Sequence, residues 1–242
     1  MYQNCKEYDI RYTDVDYYDH MKLSAILGIL QESASISADE LGFGYDDRIV
    51  KGFAFIVSNW YIELFRPINV GEKVKCITWP IKPKHVLFFR DFELYVGEEK
   101  VGVATSRWCL MDLAKYSVLP VKAFFENDTR EYNDCRSVEY SSWKIPAICQ
   151  DAPVYSKTIS YTDYDHYNHV NNTKYADFVF DAFSIDEMKN KYISSVQVTY
   201  VNQCKCGEKI DISKTYLDGY CYLEGKVNGE LRVQFKVKFN EL

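Results

Sequence analysis

Residues 13–21 read Thr-Asp-Val-Asp-Tyr-Tyr-Asp-His-Met, and residues 162–170 read Thr-Asp-Tyr-Asp-His-Tyr-Asn-His-Val. Five of the nine positions are identical, so the chain contains an internal repeat with an offset of 149 residues. Gly-Glu-Lys-Val at 71–74 and Gly-Glu-Lys-Ile at 207–210 match in the same order. The spacing from the repeated His to the repeated Gly is 51 residues in the first copy and 38 in the second. We therefore expect two related units of unequal size.

A helical pattern follows each copy of the nine-residue repeat. In the first copy, apolar residues recur at three- and four-residue steps up to about Leu41, where a glycine follows. In the second copy, Asn171 or Asn172 is the expected N-cap of a shorter helix that ends near Phe183. The 13 extra residues of the first copy are expected in its longer helix and in the loop 42–52.

Four strand-like segments, rich in β-branched and aromatic residues, follow each helix. They are Phe53–Leu64, Lys73–Trp79, Val86–Val96 and Val101–Met111, then Ser195–Val201, Lys209–Tyr216, Tyr220–Val227 and Leu231–Phe239. The predicted fold class is α+β, with two tandem units that each wrap an antiparallel sheet around a helix. We place the first unit at residues 1–128, a connector at 129–152 and the second unit at 153–242.

Composition excludes several classes of function. Lys and Arg number 29 against 35 Asp and Glu, so the formal net charge is −6 and nucleic acid is not an expected partner. No stretch approaches the roughly 18 apolar residues of a membrane span, and the first residues lack an apolar signal region, so we expect no membrane association and a cytoplasmic protein. The eight cysteines form no Cys-x-x-Cys pair, and we expect reduced thiols.

The repeated Asp and His residues are the strongest candidates for chemistry. An Asp four residues before a His, at a turn that leads into a helix, places a carboxylate and an imidazole near free backbone N–H groups that can hold an oxyanion. Such a site suits hydrolysis of an activated acyl group. The alternative is that these Asp and Asn residues only cap helices and form Asx turns. No metal is expected, because Asp163, Asp165, His166 and His169 cluster in one turn without a second group of ligands. The sequence also has no Gly-x-Ser-x-Gly nucleophile elbow.

Residues 165–175, Asp-His-Tyr-Asn-His-Val-Asn-Asn-Thr-Lys-Tyr, resemble the active-site motif of acyl-acyl carrier protein thioesterases. Weaker matches in the expected order are Leu30–Ala34, Phe89–Phe92, Ser106–Trp108 and Glu224–Val227. The resemblance spans nearly the whole chain. It implies a double hotdog fold packed as a pseudo-dimer, in which the second unit is catalytic and the first holds much of the acyl chain. It implies no cofactor.

The resemblance assigns catalytic roles to Asp165 and His169. Two positions differ from the family pattern. Tyr167 stands where the family commonly has Asn, and Gln203 stands where a Tyr-x-x-Glu-Cys segment supplies a carboxylate. Gln203 can orient a water but cannot accept its proton, so the base would be Asp165 or His169.

Substrate contacts are also predicted. Backbone N–H groups near Val170 and Asn171 are expected to bind the thioester carbonyl oxygen. Ile26, Leu27 and Leu30, on the first helix, are expected to contact the acyl tail. Cys204 is expected to be structural and not a nucleophile.

The leading hypothesis is a thioesterase that releases free fatty acid from acylated acyl carrier protein in fatty-acid biosynthesis. The alternatives are an acyl-coenzyme A thioesterase that uses the same site, and a hotdog protein that binds acyl groups without turnover, which Gln203 would favour. An acidic carrier needs a basic docking face, for which Lys82, Lys84 and Arg90 are candidates. Chain length and oligomeric state, with a homodimer as one option, are left open.

Overall fold

The structure is a computed structural model that describes residues 2–44, 52–122, 132–149, 152–166 and 168–242. The first unit contains β1 (Asn4–Asp9), a 3-10 turn (Tyr12–Asp14), α1 (Leu23–Glu40), β2 (Phe53–Leu64), β3 (Lys73–Lys84), β4 (Leu87–Val96), β5 (Glu99–Asp112) and β6 (Ser117–Leu119). The second contains β7 (Tyr155–Thr158), a 3-10 turn (Tyr161–Asp163), α2 (Lys174–Phe180), α3 (Ile185–Met188), β8 (Lys191–Tyr200), β9 (Lys209–Leu217), β10 (Tyr220–Val227) and β11 (Glu230–Glu241).

The strand order of the sheet is palindromic. It runs β1-β3-β4-β5-β2-β8-β11-β10-β9-β7, with β6 paired to the end of β5. Counted outward from the centre, the strands of the two halves are therefore equivalent. The halves meet where β2 pairs antiparallel with β8, with Tyr61 opposite Gln197. The fold is a double hotdog, as the family resemblance implied, and its two units are those that the repeat predicted.

The two units share one hydrophobic core. Alternate residues of the strands face the helices, because successive side chains of a strand point to opposite faces of the sheet. The core joins buried residues of both units, among them Leu27 of α1, Trp60 of β2, Phe178 of α2 and Phe235 of β11. Helix α1 packs on β1, β3 and α2.

Most predicted elements lie where the hydrophobic pattern placed them. Strands β2 and β10 have the predicted bounds, and α1 ends one residue before Leu41. The second helix is the main correction. It begins after Thr173 instead of at Asn171 or Asn172, and it ends at Phe180, after which α3 forms separately. The Asn171 side chain accepts the Thr173 amide at 2.9 Å, so it forms an Asx turn just before the helix. The loop predicted to hold part of the 13 extra residues lies mostly outside the described residues.

Residues 132–149 of the connector cross the sheet face that points away from the helices. Arg136 forms a bidentate ion pair with the fully buried Asp91. Its Nε lies 2.8 Å from Oδ2, and its Nη2 lies 3.1 Å from Oδ1. Tyr140 stacks on Tyr61 with ring centroids 3.7 Å apart, and its hydroxyl donates to Gln197 Oε1. The connector thus covers the seam where β2 meets β8.

Candidate active site

The two copies of the repeat form the same turn. Asp16 N donates to His20 O at 2.8 Å, and Asp165 N donates to His169 O at 2.9 Å. At the tip, Asp19 and Asn168 have left-handed φ angles of 64° and 61°, a conformation that Asp and Asn tolerate better than most residues. The repeat therefore reflects real structural equivalence between the two units.

The loop after the second strand of each unit lies against this turn. In the first unit, Gly71 N donates to Ile10 O, and in the second, Gly207 N donates to Ile159 O. These matching bonds align residues 66–70 with residues 202–206. In this alignment Gln203 is the equivalent of Pro67, as the repeated Gly-Glu-Lys segment predicted.

The first unit closes its loop onto its turn through backbone hydrogen bonds. Met21 N donates to Ile68 O at 2.7 Å, and Val70 N donates to Asp19 O at 3.1 Å. His20 and Asn69 also form an isolated antiparallel bridge. The backbone amide that follows the histidine is thus already satisfied in this unit.

The second unit holds its loop through tyrosine hydroxyls instead. Cys204 N donates to the Tyr175 hydroxyl at 3.0 Å, and Cys206 N donates to the Tyr164 hydroxyl at 2.6 Å. Across the described residues, no backbone hydrogen bond joins 168–171 to 201–206. The equivalent positions in the first unit are Val15 and Ile26, which have no hydroxyl. Two tyrosines therefore replace the direct pairing of loop and turn.

This difference leaves the Val170 amide without a partner among the described residues. Val170 is equivalent to Met21, it is 3% exposed, and its N–H makes no hydrogen bond within the described part of the chain. A buried N–H without an acceptor is costly and calls for an explanation. By the equivalence with Met21, the Val170 N–H faces the loop that carries Gln203. The thioester carbonyl oxygen is an acceptor of the required kind.

Asn171 does not provide a second free amide. Its N–H donates to Asp163 O at 2.9 Å, and its side-chain oxygen accepts from the Thr173 amide and hydroxyl. Asn171 therefore shapes the turn, which corrects the expectation that its N–H is available to the substrate. The next amide, that of Asn172, has no acceptor among the described residues, while the Asn172 carbonyl accepts from the Tyr200 hydroxyl at 3.0 Å.

The three predicted catalytic residues lie on the turn and on the adjoining loop. Asp165 and His169 are half-buried on the turn, and Gln203 is exposed on the loop. The Gln203 side chain has no polar partner in the described ranges, and its amide donates to the Asn202 side chain. Tyr167, the other departure from the family pattern, lies outside the described residues.

Tyr164, Tyr175 and Tyr200 support the site, although none of the three was among the predicted site residues. Burial raises the pKa of Tyr175 and of Tyr200, so both hydroxyls stay protonated in the physiological range. Comparing the two copies position by position would have revealed Tyr164 and Tyr175, because the first copy has aliphatic residues there. Burial also raises the pKa of the Cys204 thiol, in agreement with a structural role.

Other predicted residues lie elsewhere. Ile26, Leu27 and Leu30 are at most 1% exposed and pack in the shared core. Arg90 is 9% exposed and donates to the Ser37 hydroxyl inside the first unit, so the prediction that it helps to dock a carrier is wrong. Lys82 and Lys84 are exposed at the end of β3 and stay candidates.

Among the described residues, no three His, Cys, Asp or Glu side chains converge in a way that could hold a metal ion. No described helix combines the length and the apolar character that a bilayer crossing requires.

Family models identify both halves of the chain. The model described as acyl-ACP thioesterase N-terminal domain matches residues 2–125, and the one described as acyl-ACP thioesterase C-terminal domain matches residues 151–241. The chain belongs to the acyl-ACP thioesterase family. This membership makes it a thioester hydrolase that acts on fatty acyl groups carried by acyl carrier protein (ACP). A comparison with curated protein sequences found no match.

Solved structures of acyl-ACP thioesterases have the same fold. The crystal structure of an acyl-ACP thioesterase from Bacteroides thetaiotaomicron is 22% identical, with a TM-score of 0.87 and coverage of 98% of each chain. The 12:0-ACP thioesterase from Umbellularia californica is 18% identical, with a TM-score of 0.86 and coverage of 99% of this chain and 98% of that one. Because these sequence identities are low, the structural matches show that the fold is shared and nothing further.

Proposed function

We propose that the second unit carries out the thioester hydrolysis, with Asp165 and His169 as the acid-base groups and the Val170 amide as the oxyanion donor. The observation that carries this proposal is that the Val170 N–H has no acceptor in the part of the chain that the structure describes, whereas the Met21 N–H at the equivalent place has one. Both copies have the Asp and the His, but within these residues the second copy leaves this donor open for substrate and the first does not.

The reaction needs no covalent intermediate with the protein. A water oxygen attacks the carbonyl carbon while Asp165 or His169 accepts the water proton. The resulting tetrahedral oxyanion accepts a hydrogen bond from Val170 N–H. Its collapse breaks the carbon–sulfur bond, and the transferred proton goes to the departing thiolate. The products are the free fatty acid and the thiol of the carrier. Gln203 is assigned to orienting the water, because its amide can donate and accept but cannot act as a base.

We place the acyl tail along α1, against Ile26, Leu27 and Leu30, which are buried in the apolar core that the two units share. Each buried methylene contributes about 0.8 kcal/mol, so the depth available to the tail sets the preferred chain length. We also propose a cytoplasmic location. All eight cysteines are free thiols, as expected in a reducing compartment.

Kinetics on matched variants of the two copies tests which unit is catalytic. Asp165→Asn and His169→Ala should lower kcat by roughly 100-fold or more, the usual effect of losing a general acid-base group. His20→Ala, the equivalent change in the first unit, is the control and should retain most of the activity. Gln203→Glu should retain or raise activity, because it restores a carboxylate beside the water. Full activity in His169→Ala, with loss in His20→Ala, would move the site to the first unit.

A panel of substrates tests carrier preference and chain length together. Acyl-ACP thioesters from short to long chain should be hydrolysed with higher kcat/KM than the matching acyl-coenzyme A thioesters. Equal or better turnover of the coenzyme A series would contradict carrier recognition. The same panel gives the chain length at which kcat/KM is highest.

A further inference from the structure

A cavity of about 630 Å³ lies at the first copy of the turn, away from the residues assigned to catalysis. Its lining includes Asp16 and His20 of that turn, and Asp177 of α2 from the other unit. It is not lined by Asp165, His169 or Gln203. The Tyr18 hydroxyl donates to Ile185 O at 3.0 Å and ties the turn to α3 at this place. The cavity is thus formed jointly by the two units.

This cavity lacks the open backbone donor that we propose as the oxyanion site of the second unit. The Met21 amide donates to Ile68 O, and the His20 amide donates to Asp16 Oδ1 at 3.1 Å. Pro67 replaces the Gln203 of the other copy and offers no side-chain hydrogen bond. The cavity can therefore hold a ligand but lacks the donor that would stabilise a tetrahedral intermediate.

The inner wall of the cavity is apolar. Met21 and Leu64 of the first unit and Ile193 of the second are at most 9% exposed and line it. Phe180 and Phe183, with ring centroids 5.4 Å apart, add an aromatic surface. The volume falls within the range of about 300–1,000 Å³ typical of small-molecule sites. A hydrocarbon chain is the kind of group that this wall would bury favourably.

The lining contains four carboxylates and the three lysines Lys22, Lys174 and Lys191. Each carboxylate already has a partner. Asp14 pairs with Arg11, Asp16 accepts two backbone amides, Asp177 lies 3.9 Å from Lys174, and Asp181 interacts with Tyr155.

Lys22 and Lys191 also line the cavity, and neither has a carboxylate partner in the part of the chain that the structure describes. The Lys22 ammonium donates to the Thr13 carbonyl at 3.3 Å. A ligand with an apolar tail and an anionic head matches this combination of wall and charge.

We propose that this cavity is a second, non-catalytic site for a free fatty acid, with the carboxylate at Lys22 and Lys191 and the tail against Phe180 and Phe183. The identity of the ligand rests on the proposed function, because a fatty acid is the product that the hydrolysis releases. The site would let the enzyme retain or sense its own product.

Calorimetric titration of the full chain with dodecanoate, below its micelle concentration, tests the proposal. The wild-type protein should bind two molecules per chain. Lys22→Glu/Lys191→Glu should weaken one of the two sites by about tenfold or more and leave the other unchanged. Ser24→Trp, which fills the cavity from α1, should abolish the same site. Lys189→Glu, an exposed lysine that does not line the cavity, is the matched control and should change neither site.

Dodecanol separates recognition of the head from recognition of the tail. It should bind the second site more weakly than dodecanoate, and the lysine double variant should not change its affinity. One site per chain in the wild type, or two unaltered sites in both the double variant and Ser24→Trp, would overturn the proposal. Turnover of acyl-ACP is measured separately, so absence of hydrolysis with two intact binding sites would refute the proposed function alone.

Discussion

At the scale of single residues, the amide of Val170 distinguishes the two copies of the turn. Replacing this amide by an ester, through incorporation of the α-hydroxy analogue of valine, removes the N–H and keeps the side chain. We expect kcat to fall by about 10²–10³-fold, the effect of losing one oxyanion donor.

The same replacement at Met21 is the control for Val170. The Met21 N–H donates to Ile68 O, so its loss should lower the free energy of unfolding by about 1 kcal/mol and leave kcat nearly unchanged. Single-turnover kinetics and chemical denaturation of both variants measure the two effects. Equal loss of kcat at the two positions would refute the assignment of the oxyanion donor.

The Asp163 carboxylate makes the stability of the same turn depend on pH. Burial alone would raise the pKa of Asp163, but the Lys157 ammonium at 2.9 Å and the Ser160 amide at 2.8 Å outweigh burial and lower it. Because the folded pKa lies below the unfolded value of about 3.9, this stabilisation is fully present above that value and is lost as pH falls below it.

Replacing Asp163 should therefore weaken the acid dependence of stability. We expect Asp163→Asn to unfold more easily than wild type at pH 7 and to lose less of its free energy of unfolding between pH 5 and about pH 2. Urea denaturation over this range measures both quantities. Asp134→Asn changes an exposed carboxylate and serves as the control. A wild-type pH profile in Asp163→Asn would contradict the pKa direction.

At the scale of elements, the connector contributes to stability through Arg136. Arg136→Ala leaves the fully buried Asp91 carboxylate with the Ser137 amide as its one remaining partner among the described residues and with no cation there. Breaking a buried pair in this way should cost about 3–5 kcal/mol. Lys144→Ala, an exposed change in the same segment, should cost less than about 0.5 kcal/mol. Thermal and urea denaturation measure both. Similar free energies of unfolding in the two variants would show that Arg136 of the connector does not contribute to stability.

The elements also show what the sequence could predict and what it could not. Local pattern was sufficient for β2 and β10, because each is a run rich in β-branched and aromatic residues that ends at turn-forming residues. The course of the connector was not predictable, since its partners Asp91 and Tyr61 lie 45 and 79 residues away from Arg136 and Tyr140. The burial of Arg90 was missed for the same reason.

In the candidate site, the motif marks the turn as a candidate but does not predict its hydrogen bonds. Asp165 and His169 are recognisable because the repeat and the family motif both contain them. The unpartnered Val170 amide depends on where the loop 202–206 lies, and that position is set by the Tyr164 and Tyr175 hydroxyls. Whether a backbone N–H has an acceptor depends on how distant segments pack, and the residue type at that position does not encode it.

At the scale of the whole molecule, the shared core predicts that the two units unfold together. Phe235 of β11 is fully buried, and Phe235→Ala should cost about 3–5 kcal/mol. All four tryptophans lie between positions 60 and 143, outside the proposed second unit, so tryptophan fluorescence reports on the first unit and the connector. The midpoints seen by fluorescence and by far-ultraviolet circular dichroism should fall by the same amount. A fluorescence midpoint that stays at the wild-type value would contradict a common core.

The palindromic strand order, with β2 and β8 joined in one chain, has a genetic consequence. In a dimer of two identical short chains, every mutation is inherited by both sites at once, so neither can be altered without the other. In this chain a codon change affects one half only, and the two halves cannot separate on dilution. One copy of the turn can therefore specialise in hydrolysis while the other copy evolves a different function.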